Sequence, residues 1–382
     1  MNNKEIQKQK NNQFNGNRYS KQNNYNNCKV VNAYNFVSLG DPKNIKRGKV
    51  TTGEFSGKLI CTLKNLTPIF TSGDSKIISS KDKNGKSINH NCEYFLCDNN
   101  NYIIAGSSLK GAIRNVIEVV TTSCIKNVVE KGVPLEFSPC SKEDELCFAC
   151  RLFGSTGDTK NTSSTTALRG RVYFSDATID KKKADIVANL VTIKPLYTPS
   201  PKCKKLYYLK NNIRGRKFYW HHANKIGKDL TTYENTIEDK NFTSSNSSIQ
   251  FLKPLNTFNF EVHFDKLTEE ELGVLIYSLQ LEDGLAHKFG KAKSFGLGSC
   301  QIKIEKLYLE TKDKYKSFTK CYEDTPVDKF LNSCIEKYIT DDRKEIKELK
   351  AILNTKNSID FSKKFFPIIG DKFNSLPQIL DY

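Results

Sequence analysis

The most regular stretch of the chain runs from Phe258 to Phe264. Phe258, Phe260, Val262 and Phe264 alternate with Asn259, Glu261 and His263, which predicts a strand buried on one face. Thr268 and Glu271 then form a capping box that opens a helix with Leu272, Leu275, Ile276 and Leu279 inward. A further strand follows, in which Cys300, Ile302 and Ile304 alternate with Gln301, Lys303 and Glu305. The same order occurs earlier. Leu59, Cys61 and Leu63 mark a half-buried strand over Lys58–Lys64, and Ile113, Val116, Ile117, Val120 and Cys124 stand at helical spacing after Ser108. Val172 and Phe174 point inward in a strand over Gly170–Ala177. Strand, helix, strand, repeated once, predicts an α+β fold: a ferredoxin-like (RRM-like) βαββαβ core.

The rest of the pattern places insertions and extensions around that core. Residues 1–30 are Asn-rich with scattered cations and almost no apolar side chains, so they read as a disordered basic tail. The expected domain spans 31–310, entered through the apolar cluster Tyr34-Asn35-Phe36-Val37. It carries three insertions: 67–105, a loop with a flexible middle at Ser79–Lys86; 125–168, broken by Pro134, Pro139 and cysteines; and 180–250, polar and Lys-rich. Residues 311–382 show helical periodicity around Phe330, Leu331, Cys334 and Ile335, and again around Ile346, Leu349, Ile352 and Leu353, which predicts a helical C-terminal extension.

Charge changes this picture most. Lys and Arg number 60 against 42 Asp and Glu, a net +18 that suits a polyanionic partner, nucleic acid above all. No long apolar span or strongly amphipathic basic helix is present, which argues against a membrane partner. The first residues are too polar for a secretory signal, so a cytoplasmic location is expected, and the 12 cysteines are expected as buried thiols or metal ligands rather than disulfides.

Three stretches carry candidate chemistry. Gly106-Ser107-Ser108-Leu109-Lys110-Gly111-Ala112-Ile113-Arg114 runs a small polar loop into a helix, where Ser107, Ser108, Lys110 and Arg114 suit a phosphate; an ordinary capped surface helix is the competing reading. Arg214-Gly215-Arg216-Lys217-Phe218-Tyr219-Trp220-His221-His222 interleaves cations and rings, which suits phosphate contacts with base stacking; a strand with Phe218 and Trp220 packed inward is compatible with it on the opposite face. Adjacent histidines on a strand point opposite ways, so His221 and His222 are not assigned catalysis. Cys147 and Cys150 have the spacing with which one turn presents two thiolates to Zn²⁺, and with Cys140 and Cys124 upstream they give a candidate four-cysteine structural site; Cys124 on its helical stripe also fits a core thiol.

Several stretches together resemble the CRISPR-associated RAMP proteins, especially the backbone-type subunits of type III effector complexes. They are Gly106–Gly111 with Arg114, Cys147-Phe148-Ala149-Cys150-Arg151-Leu152-Phe153-Gly154, Ser175-Asp176-Ala177, and the loop Gly290–Gly298, in the family's order over about 36–306. The resemblance implies a subunit of an antiviral ribonucleoprotein that grips guide RNA, alone or in its duplex with target RNA. Copies or sister subunits stack along a filament. The helix start and the glycine loop would lie at the RNA, with Lys288, Lys291, Lys293 and Phe295 in or beside that loop. Some relatives carry zinc in the same insertion. Target-cleaving relatives carry an aspartate between the first strand and the helix, used with a divalent metal such as Mg²⁺. The corresponding neighbourhood here is Asn89-His90-Asn91, with Asp74 and Asp82 displaced in the same insertion. An endoribonuclease acting through the 67–105 loop, with Asp74, Asp82 and His90 as candidates, is therefore the alternative to a binding subunit.

Overall fold

The computed structural model describes residues 32–125, 132–155, 167–187, 189–196, 207–228, 242–316, 321–340, 342–357 and 359. The expected tail 1–30 and the end of the C-terminal extension lie outside the described residues. In chain order the main elements are β1 (Tyr34–Val37), β2 (Phe55–Asn65), β3 (Ser72–Lys81), β4 (Ser87–Phe95), β5 (Asn101–Ile104), α1 (Gly106–Val120), α2 (Phe148–Phe153), β6 (Val172–Phe174), β7 (Ala177–Asp180), β8 (Val191–Ile193), β9 (Arg216–Tyr219), β10 (Ser247–Ile249), β11 (Thr257–Leu267), α3 (Glu269–Gln280), β12 (Ser299–Glu310), α4 (Asp328–Tyr338) and α5 (Lys344–Leu353). Among the described residues, no helix is long and apolar enough to cross a membrane.

β2 is the centre of the largest sheet, antiparallel to β12 on one side and β11 on the other; β6 and β7 follow along the far edge of β11, and β5 pairs with β7. Register turns the alternation of three strands into rows. Leu63 lies between Phe258 and Ile302, Cys61 between Phe260 and Ile304, and Leu59 between Val262 and Leu307. All nine side chains are buried. β12 runs five residues beyond its simple alternation because a bulge between Ile304 and Lys306 absorbs one residue and returns Leu307 and Leu309 to the inner face.

α1 and α3 pack against each other and on this sheet. The capping box forms as expected, with Glu271 N–H donating to Thr268 Oγ1 and Thr268 N–H to the Glu271 carboxylate. α3 is buried nearly all round rather than along one stripe, because α4 covers its second side. α5 packs against α1, β1 and β9, so the described part of the C-terminal extension is folded onto the core.

The insertions differ most from expectation. Residues 67–105 form the hairpin β3–β4, closed at Asp82–Lys86, and then β5. β3 escaped sequence reading because both of its faces are exposed, Ile77 at 72% and Ile78 at 43%, so no apolar period marks it. Residues 180–250 supply β8, β9 and β10, and β10 lies parallel to β4 and antiparallel to β8. The two insertions thus build one four-stranded sheet, in the order β3-β4-β10-β8. β9 pairs with β1 in a separate ribbon, matching Tyr34 with Tyr219, Phe36 with Lys217, and Val37 with Arg216.

Candidate metal centre and nucleic-acid surfaces

α1 ends at Val120, and a turn with Thr122 at φ 46° carries the chain to Cys124, which therefore sits beyond the helix rather than on its stripe. There it meets Cys140, Cys147 and Cys150. The four sulfurs are buried and lie within 4.8 Å of one another. Cys124 Sγ is 3.6 Å from Cys150 Sγ and 3.5 Å from Cys147 Sγ. A tetrahedral ion with Zn–S bonds of about 2.3 Å spaces its sulfurs about 3.8 Å apart, so the donor set fits such an ion.

The surroundings fit it as well. Cys147 N–H and Arg47 Nη1 donate to Cys140 Sγ at 3.1 and 3.0 Å, and Arg114 Nη2 reaches Cys150 Sγ at 3.5 Å. Arg216 donates to the carbonyl oxygens of Ser123 and Cys124, and Glu118 lies between Arg114 and Arg216 at 2.8 and 3.4 Å. Three arginines less one glutamate supply the charge that four thiolates around a divalent ion would leave uncompensated. Hydrogen bonding from Cys124 draws Cys147 well below the usual thiol range and Cys140 down to about 7, while Cys124 is pushed up in exchange.

At the start of α1, Gly106 N–H donates to Asp176 Oδ1 at 2.7 Å, which joins two of the stretches singled out in the sequence. The glycine is required there, since a Cβ would stand 2.4 Å from Phe174 O. The helix end thus already faces a carboxylate from its own chain. Ser107 and Ser108 are exposed, and Lys110 is half-buried with Nζ 5.9 Å from the centre of the Phe153 ring. Arg114 faces the cysteines, so its guanidinium belongs to that centre.

The glycine loop folds inward. Lys288 is partly buried and donates to Gly296 O and Leu297 O at 2.9 and 3.0 Å, and desolvation pushes its ammonium down to about 7. Phe295 is 1% exposed, packed in the core rather than offered for stacking. Lys293 donates to Gly290 O, and Lys291 holds the Glu93 carboxylate at 2.5 Å. Burial acts to raise Glu93, but Lys291 and Ser72 keep it below the usual range.

The aromatic and basic stretch divides by parity. Arg216, Phe218 and Trp220 are buried, whereas Lys217 and Tyr219 stand on the outer side, partly exposed. Arg214 is also partly exposed. His221 is buried, with Nδ1 2.8 Å from Ser299 Oγ and Nε2 2.9 Å from Ala286 O, and burial pushes it down to about 3.

The three nuclease candidates are not brought together. His90 is buried in the second sheet, Nε2 at 2.8 Å from Ser248 Oγ and the ring edge-on to Phe242. It pairs with Ile78, four positions along the hairpin from Asp74 and from Asp82, about 13 Å each way. Asp82 accepts from Asn84 N–H and Lys86 N–H and so shapes the hairpin turn, while Asp74 is exposed. Sequence reading singled out Asp176 within Ser175-Asp176-Ala177 but gave it no role, and it missed Arg47 and Glu118. Glu118 left a trace, its helical i,i+4 spacing from Arg114.

Comparison with known proteins gives a match to the RAMP superfamily over residues 62–301. No curated protein matches the chain. Among solved structures, Csc2 of Thermofilum pendens is similar with a TM-score of 0.34 and 12% identity, over 78% of this chain and 84% of that one. A chain of a Type IV-B CRISPR complex is similar with a TM-score of 0.31 and 15% identity, over 65% of this chain and 90% of that one.

Proposed function

Because this chain belongs to the RAMP superfamily, we propose that it is a CRISPR effector subunit of the type III kind. It works in the cytoplasm, holding guide RNA, and the guide–target duplex, along the phosphate backbone. The family match over 62–301 is the observation that carries this reading. The sheet supports a ferredoxin-like core: with β2, β6/β7, β11 and β12 as strands one to four, the order across the sheet is four, one, three, two, and α1 and α3 follow strands one and three. Ser107, Ser108 and Lys110 offer hydroxyls and a cation at the start of α1, beside the site that Asp176 fills. Contacts of this kind neutralise phosphates without reading sequence. Other effector subunits, or copies of this chain, are its protein partners.

The four cysteines hold a structural Zn²⁺ in this reading. With all four positions taken by sulfur the ion has no open site, and it staples the end of α1 to the insertion and, through Arg216, to β9. Cleavage is not part of the reading, since Asp74, Asp82 and His90 stand apart along the hairpin.

The deciding experiment is to purify the tagged protein expressed with its genomic neighbours and sequence the RNA that accompanies it. Repeat-spacer guide RNAs together with other subunits are the expected result. Mixed cellular RNA with no protein partners would overturn the effector reading.

A further inference from the structure

The β1–β9 ribbon has two unlike faces. Because opposed residues of an antiparallel pair share a face, Asn35, Val37, Arg216 and Phe218 turn inward together and are buried. Tyr34, Phe36, Lys217 and Tyr219 make the other face, and Tyr207 joins them from the segment before β9. The Tyr34 ring is 5.9 Å from Tyr219 and 6.2 Å from Tyr207, with Phe36 packed edge-on at 5.8 Å from Tyr34 and 5.2 Å from Tyr207. Phe36 is buried beneath them, whereas the three tyrosines stay partly exposed.

Two cations belong to this cluster. Lys217 Nζ lies 3.7 Å from the Tyr34 ring centre and 5.0 Å from that of Tyr219, and donates to Tyr207 Oη at 3.3 Å. Lys293 comes across from the glycine loop and lies 5.6 Å from the Tyr219 ring centre. Lys217 is pushed down to about 8 by burial and by the neighbouring charge of Lys293, a repulsion that an anion would relieve.

We infer that this outer face is a platform for single-stranded RNA, on which Tyr34, Tyr207 and Tyr219 stack unpaired bases while Lys217 and Lys293 meet the flanking phosphates. The inference rests on the RNA-binding reading above and adds to it a place and a strand form. Rings with cations among them are the chemistry that binds unpaired nucleotides with little sequence preference. A duplex, whose bases are already stacked on each other, gains nothing from such rings.

The test uses the full chain, with fluorescence anisotropy on a labelled oligouridine and on an RNA duplex across a salt series. Tyr34→Leu combined with Tyr219→Leu is expected to weaken oligouridine binding about tenfold with the salt slope unchanged, and to leave the duplex unaffected. Lys217→Met is expected to make the oligouridine slope shallower by about 0.7. The phenylalanine pair, Tyr34→Phe with Tyr219→Phe, keeps the rings and is expected to bind normally. Photocrosslinking of 4-thiouridine RNA to the unsubstituted protein, mapped by mass spectrometry, is expected to mark the ribbon tyrosines and does not depend on any variant folding. Crosslinks confined to other regions would overturn the platform. So would unchanged oligouridine binding by the leucine pair while Lys110→Ala weakens it, a result that leaves the RNA-binding reading standing. An unsubstituted protein that binds neither RNA would overturn both.

Discussion

Two of the sheet surfaces that reach solvent are built on opposite terms. On the open face of the central sheet bases stand beside acids: Lys58 and His263 share Glu261 at 3.2 and 2.9 Å, and Lys303 pairs with Glu305, which also accepts from Thr62. On the outer face of the β1–β9 ribbon, Lys217 and Lys293 lie among tyrosine rings, and the charge that bears on Lys217 is that of the other lysine. A balanced surface has little to offer a polyanion, whereas an unbalanced one holds potential in reserve. Breadth of sheet is therefore a poor guide to where RNA goes, and the local pairing of charge is a better one.

The strongest way to break the contrast is to remove what anchors the ribbon. Cys147→Ser is expected to lose bound zinc, read by metal analysis of freshly purified protein. It should also lower the free energy of unfolding in urea by roughly 3–5 kcal/mol, because Arg114 and Arg216 are left without their counter-charge. Zinc content unchanged from the parent would remove Cys147 from the centre. Glu118→Gln is expected to cost about 2 kcal/mol in the same assay, since Arg114 and Arg216 then face one another without the carboxylate between them. RNA binding by this variant should weaken too, as β9 loosens.

A gentler probe is pH. Lys217 loses its charge as pH rises through about 8, so affinity for oligouridine should fall a few-fold between pH 7 and 9, and Lys217→Arg, which keeps its charge, should flatten that step. A profile unchanged by the substitution would show that Lys217 takes no part. The smallest effect is expected on the balanced face: Glu261→Gln should alter stability by less than about 0.5 kcal/mol and leave RNA affinity as it was, exposed pairs contributing little. An affinity gain there would mean that the open face carries RNA after all.

The strands and helices that pay for themselves in buried area could be read from the sequence, because burial on one face writes a period. Phe258–Phe264, the α3 capping box and Leu59–Leu63 are such cases. The β3–β4 hairpin could not, as β3 buries almost nothing, and the bulge in β12 hid Leu307 and Leu309 by shifting their phase. At the sites, residue type was legible and direction was not. The cysteine set emerged from the spacing of Cys147 and Cys150, but Arg114, Arg216, Lys288 and Phe295 all turn inward, where a cation can hold carbonyls or a glutamate and a ring can fill the core. Tyr34 looked like a docking residue because its partner Tyr219 lies 185 positions away in the chain.

The central place of β2 also sets a clock for biosynthesis. Its residues 55–65 leave the ribosome long before either flanking strand, at 257–267 and 299–310, has been made. At roughly 5–20 residues per second, both edges of an apolar strand stay open for about 10–50 seconds. A message truncated before residue 299 would yield a chain whose first strand never closes, a substrate for chaperones or for aggregation rather than a smaller version of the protein.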